Sequence, residues 1–187
     1  MAGILAALAL LLVLAAPTAP AAARERYEGR VQRVLDGDTA DVLTGDFERV
    51  RVRFYGLDAP EKNQDGGDES RAALDRLIAG REVSVRVMDV DRYSRQVGVV
   101  YLDGVSVNLE MIALGQAWVY EQYCRDRKIC GEFRRAQSQA REAGLGLWAD
   151  PDPTPPWDHR RNRRNSKKQG WSRPTGGSPG QAPADGR

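Results

Sequence analysis

Two acidic turns and a few arginines hold the residues most able to do chemistry. Asp36-Gly37-Asp38 precedes Thr39, and Gly56-Leu57-Asp58-Ala59-Pro60-Glu61 follows an alternating run that ends at Tyr55. Carboxylates brought side by side repel each other, and a divalent cation that prefers oxygen relieves the repulsion. Asp38 and Asp58 suit that role, and Glu61, one turn further on, suits a base acting on water. Arg53 lies just upstream, and Arg95 closes the loop Asp91-Arg92-Tyr93-Ser94-Arg95. Arginines beside a carboxylate–metal cluster are the equipment of phosphodiester hydrolysis. They and the cation stabilise charge on the phosphoryl oxygens while a carboxylate activates water. Each signal alone is weak: a DGD triplet is ordinary turn chemistry in most proteins, and a lone loop arginine is usually solvated.

The surrounding pattern predicts the elements that position these groups. A noisy period of two over 27–35 gives a first strand, 39–43 a second, and 48–55 a third. In the third, Val50, Val52 and Phe54 alternate with Arg49, Arg51 and Arg53. In such a meander the start of the second strand and the end of the third share one end of the sheet, so Asp38 and Asp58 converge. Arg53 faces away from the apolar phase and needs an anionic partner there. Helices are expected over 69–79, 107–114 and 131–143, each followed closely by glycine, with further strands at 82–90 and 96–102. Residues 117–120 are expected to be extended. Five short strands interrupted by helices fit a Greek-key barrel of the OB type, and equally an open α+β sandwich.

The composition excludes several alternatives. There is one histidine, His159, in a basic C-terminal stretch, so a Ser-His-Asp triad would have its base outside the body of the protein. One histidine and two cysteines cannot complete a four-ligand zinc site without help. The chain has 28 basic and 26 acidic residues. Eight of the basic and two of the acidic residues fall within Asp158–Arg187, so a mildly acidic body carries a basic tail.

Taken in order, Val34-Leu35-Asp36-Gly37-Asp38-Thr39, Val52-Arg53-Phe54-Tyr55-Gly56-Leu57-Asp58-Ala59-Pro60-Glu61 and Asp91-Arg92-Tyr93-Ser94-Arg95 resemble the thermonuclease (staphylococcal nuclease-like) family. Gly115-Gln116-Ala117 and Leu145-Gly146-Leu147-Trp148 extend the resemblance to about residues 27–150. It implies a mainly β, α+β fold: a five-stranded OB-fold Greek-key barrel with three helices. It also implies a Ca²⁺-dependent endonuclease that cuts DNA and RNA, single-stranded or denatured by preference, leaving 3′-phosphate and 5′-hydroxyl ends. By that resemblance Asp38, Asp58 and the backbone carbonyl of Ala59 bind Ca²⁺, Glu61 is the general base, and Arg53 and Arg95 hold the phosphate. Arg92 and Tyr93 match a Lys-Tyr pair that contacts a nucleotide phosphate. Trp118, Tyr120 and Tyr123 are alternatives for stacking on a base. The rival reading is a non-catalytic OB-type nucleic-acid-binding module, which would be expected to have lost part of this set.

The two ends of the chain add a compartment and a tail. Ile4 to Ala16 is an unbroken run of thirteen apolar residues, followed by Pro17 to Pro20 and Ala21-Ala22-Ala23. This reads as a secretory signal cleaved after Ala23, although Met1-Ala2-Gly3 lacks a basic side chain. The alternative, an uncleaved anchor, would need roughly 20 residues to span a bilayer. A secreted or periplasmic monomer with no stable membrane association is expected. In that oxidising setting Cys124 and Cys130 are expected to form a local disulfide. After the prolines of 151–156, disorder is expected from about Asn162, with Arg160 to Lys168 either drawn to phosphates or merely solvated.

Overall fold

A computed structural model of the protein describes residues 26–171, with side chains up to residue 167. The proposed signal sequence, the distal tail and the Trp171 side chain lie outside what is described.

Strand β1 (Arg26–Asp36) turns through Gly37-Asp38 into β2 (Thr39–Thr44), which returns as β3 (Arg49–Phe54). A two-residue strand β4 (Leu57–Asp58) leads to helix α1 (Gly67–Ile78). Then come β5 (Glu82–Val90), β6 (Gln96–Leu102), the short β7 (Val105–Ser106) and α2 (Val107–Ala113). The last described elements are β8 (Trp118–Val119), α3 (Arg127–Glu142), a 3-10 turn at Gly146–Ala149, and α4 (Pro156–Trp171).

The sheet runs β3-β2-β1-β5-β6, and a parallel pairing of β3 with β6 closes it into a five-stranded barrel of the OB type. Closure follows from the alternation in sequence. Val52 and Phe54 fill the interior with Val31, Ala40, Val42, Val85 and Val99, while Arg49 and Arg51 face out. Register shifts between Val31 and Arg33 and between Val34 and Asp36 bend β1, which is why its period of two is noisy. Asn108, fully buried on α2, fastens the closing seam. Its amide donates to the carbonyls of Tyr55 (3.0 Å) and Gly98 (3.2 Å), and its oxygen accepts the Val100 N–H (2.9 Å). Leu74 and Ile78 of α1, Met111 and Ile112 of α2 and Phe133 of α3 cap the barrel core.

The Cys124–Cys130 disulfide forms, with Cα atoms 5.7 Å apart, ahead of and within the first turn of α3. Asp126 caps that helix by accepting the Lys128 and Ile129 N–H groups. The Tyr55 hydroxyl accepts the N–H groups of Arg125 (2.6 Å) and Asp126 (2.9 Å) and ties this loop to the end of β3. Gly56 follows with φ 72°, and a Cβ there would lie 2.8 Å from Cys124 Sγ, so both backbone and space require glycine.

One expectation fails. Where disorder was expected from about Asn162, the described part of the basic stretch is helical from Pro156 to Trp171, giving four helices among the described residues in place of the three expected. Pro156 opens the helix and Asp158 sits in its first turn, both favourable there. Trp157 stacks on Tyr120 (5.4 Å, 8° between planes) and meets Trp118 edge-on at 5.7 Å. Arginine and lysine are good helix formers, so high charge density did not preclude a helix once the body offered partners.

Candidate active site

The turn from β1 to β2 presents Asp38, and β4 presents Asp58 at the same end of the barrel. Asp38 is 2% exposed and Asp58 fully buried. The Phe54 N–H donates to the Asp38 carbonyl at 2.8 Å, which brings the end of β3 onto this turn. Asp58 is held from its other side by the β4–β8 pairing, opposite Trp118. The convergence expected of a meander is present, and Arg53 spans it. Its Nη2 donates to Asp58 Oδ1 at 2.7 Å and its Nη1 contacts Asp38 Oδ1. Asp38 Oδ1 also accepts the Thr39 hydroxyl (3.0 Å), and Oδ2 accepts the Ala59 N–H (2.8 Å). Ala59 therefore touches Asp38 through its N–H, whereas its carbonyl was the expected ligand.

Glu61 lies beside Asp58, and the group joining them was not foreseen. Arg160 of α4 donates from Nη2 to Asp58 Oδ2 (2.6 Å) and from Nη1 to Asp58 Oδ1 (3.2 Å) and Glu61 Oε1 (2.8 Å). Burial works against the charged guanidinium, but the hydrogen bonds to Asp58 and Glu61 outweigh it and hold Arg160 protonated more firmly than an ordinary arginine. The Glu61 loop is itself braced: Gln64 Oε1 accepts the Glu61 N–H (3.2 Å), and Gln64 Nε2 donates to the Thr154 carbonyl (2.7 Å).

Arg95 is not drawn into this cluster by direct contact. It donates to Asp91 Oδ2 at 2.7 Å, and Asp91 Oδ1 accepts the N–H groups of Tyr93 and Arg95. These bonds outweigh the effect of burial and lower the Asp91 pKa. Arg95 and Arg53 both act electrostatically on Asp36, whose carboxyl burial pushes up against their pull. Tyr93 is an exposed ring with the guanidiniums of Arg92 and Arg95 at 4.9 and 5.5 Å. Of the three stacking candidates, Trp118 is buried against Trp148 and Trp157, and Tyr120 lies under Trp157. Tyr123 is exposed. His159 is not outside the body: it lines a cleft with Gln64, Gln116 and Leu147, and its buried Nε2 has no hydrogen-bond partner among the described residues.

Asp38, Asp58 and Glu61 offer hard oxygen donors, and two guanidiniums balance three carboxylates, leaving the cluster one negative charge in excess. Among the described residues no three His, Cys, Asp or Glu side chains gather on one point, because the arginines stand between them. Arg160 is a cationic stand-in on two of the three. The donor set fits a divalent oxygen-seeking ion.

The family model described as staphylococcal nuclease homologue matches residues 51–150. A protein of Escherichia coli O157:H7 named an uncharacterized endonuclease is 47% identical over 130 residues, covering 69% of this chain and 82% of that protein. Protein ParB of Escherichia coli is 39% identical over 174 residues, covering 88% of this chain and 93% of its own. The micrococcal nuclease of Shigella flexneri is 37% identical over 149 residues, covering 75% and 84% respectively. With the barrel and its ordered motifs, these matches establish that the chain belongs to the staphylococcal nuclease-like family of enzymes that hydrolyse phosphodiester bonds.

Proposed function

We propose that the protein is a Ca²⁺-dependent endonuclease acting on DNA and RNA, preferring single-stranded or denatured chains and leaving 3′-phosphate and 5′-hydroxyl ends. The observation that carries this reading is Arg53 bridging two buried aspartates, with Glu61 beside them at one end of an OB barrel. Family nucleases are in general metal-dependent. Asp38 and Asp58 are the side chains that would hold the ion, with the Ala59 carbonyl as a further donor. When bound, Ca²⁺ supplies Lewis-acid polarisation of the phosphoryl oxygen and charge neutralisation.

The remaining work falls to the chain. Glu61 takes the proton from the attacking water. Arg53 and Arg95 offset charge that builds on the phosphoryl oxygens as the 5′-oxygen departs and takes a proton from solvent to become the 5′-hydroxyl. Arg92 and Tyr93 contact a nucleotide phosphate, and the exposed Tyr123 is the remaining stacking surface. The protein acts as a monomer outside the cytoplasm, in the periplasm or beyond, without stable attachment to a membrane. The buried disulfide supports an oxidising compartment.

Purified residues 24–187 should degrade denatured DNA with Ca²⁺ and lose that activity in a chelator. Full activity in the chelator would sink the cation requirement.

A further inference from the structure

We propose that α4 is a plug carried by the chain itself: Arg160 and a divalent cation compete for Asp58, so cation entry releases the helix from the site. This rests on the reading of Asp38 and Asp58 as cation ligands. Arg160 delivers its charge to both oxygens of Asp58 and to Glu61, the carboxylates that the proposed chemistry needs free. Asp58 is fully buried and already held by Arg53 and Arg160, so a cation brought to it adds a third positive centre at short range and in a poorly screened setting. Arg53 is also anchored on Asp38, so Arg160 is the group that must give way.

The contact is not a stray surface pair. Trp157, three residues before Arg160, stacks on Tyr120 and meets Trp118, the residue paired with Asp58 across β4 and β8. Gln64 links the Glu61 loop to Thr154 on the approach to α4. One helical turn beyond Arg160, Arg163 donates to Asn63 of the same loop at 3.4 Å. A helix bearing Arg161, Arg163, Arg164 and Lys167 is thereby seated on an acidic site, with Arg160 the arginine inserted between the carboxylates. Its other basic groups make it a partner for a polyanion, so nucleic acid and cation pull in the same direction, one on the helix and one on the carboxylates.

Calorimetric titration of Ca²⁺ into the full chain tests this. Arg160→Ala should bind Ca²⁺ about tenfold or more tightly than the wild type. Trp157→Ala, which unseats α4 while keeping Arg160, should tighten binding in the same direction. On the unmodified protein, Ca²⁺ should speed amide hydrogen exchange across residues 158–167 at least tenfold. Equal or weaker Ca²⁺ binding by Arg160→Ala would overturn the plug and make Arg160 a residue that positions the ligands. Unchanged or slowed exchange in α4 would overturn it too. If neither the wild type nor Arg160→Ala takes up Ca²⁺, the reading of Asp38 and Asp58 as cation ligands falls, and the plug with it.

Discussion

Asp41 and Asp58 are both buried aspartates, and each is gripped by two arginines, yet the surroundings make them opposites. Asp41 sits on β2 between Arg33 of β1 and Arg51 of β3, each directly across from it in register. One carboxylate faces two guanidiniums, both largely in solvent. At Asp58 the arginines are shared: Arg53 also holds Asp38, and Arg160 also holds Glu61. Three carboxylates there face two guanidiniums. The first cluster is over-supplied with positive charge and locks three strands together. The second is under-supplied, and one of its cations arrives on a late helix. The same residue types become a rivet in one place and a site open to exchange in the other.

Five changes would break or sharpen that contrast. The largest effect belongs to Glu61→Gln, which removes the proposed base while keeping its shape; turnover should fall by about 10²–10⁴ with unchanged melting. A loss below about tenfold, or about 1.4 kcal/mol of barrier, takes Glu61 out of that role. Next is Arg53→Ala, which leaves Asp38 and Asp58 buried and facing each other. Denaturant unfolding without divalent ions should show a loss of about 3 kcal/mol, the cost typical of breaking a buried pair. Ca²⁺ should restore most of it. Arg51→Ala, at the over-supplied cluster, should cost less and gain nothing from Ca²⁺; equal rescue of both would erase the distinction.

Asp91→Asn frees Arg95 from its only carboxylate partner seen among the described residues, and initial-rate kinetics should show kcat lowered by about three- to tenfold, as a group that offsets transition-state charge loses its positioning. A rise in KM with kcat unchanged would mean that Arg95 only binds the phosphate. Asp41→Asn should change activity least, by less than about threefold, because Asp41 does not touch the proposed machinery. Its signature is in acid. Arg51, then Arg33, hold the Asp41 carboxyl below the ordinary range against burial. A depressed folded pKa contributes stability that is complete above the unfolded value near pH 4 and is lost as pH falls through the folded value. The variant should therefore lose less stability below about pH 4 than the wild type does.

Much of this was legible in the sequence, for reasons that can be traced to particular residues. The β3 alternation fixed which way Arg53 points, and meander geometry carried Asp38 to Asp58. The strand at 96–102 was readable in full because Gly104 and the Asp91–Arg95 loop bound it. The pairing of Asp58 with Trp118 was not, because a two-residue strand has no period to detect. Asn108 looked like one polar position on a helix, and nothing local marks it as the clasp of a barrel seam. Arg160 was hidden most deeply. Its contact with Asp58 spans 102 positions, and its neighbourhood has the composition of a solvated tail. Arg95 is the reverse case. Its partner Asp91 lies four residues earlier in the same loop, a spacing that local sequence displays directly.

The parallel seam between β3 and β6 has a consequence for how a long substrate can be held. In an open sheet the strand bearing Arg53 could recruit an extended chain by offering it a free row of N–H and C=O groups. Here β3 is paired along one side with β2 and at its far end with β6, and the Tyr55 N–H beyond it is spent on Gly98. The backbone at this end of the barrel has little left to give. Recognition must be made by side chains reaching past the rim, and such contacts read charge and ring faces, which every nucleotide possesses, more readily than they read sequence.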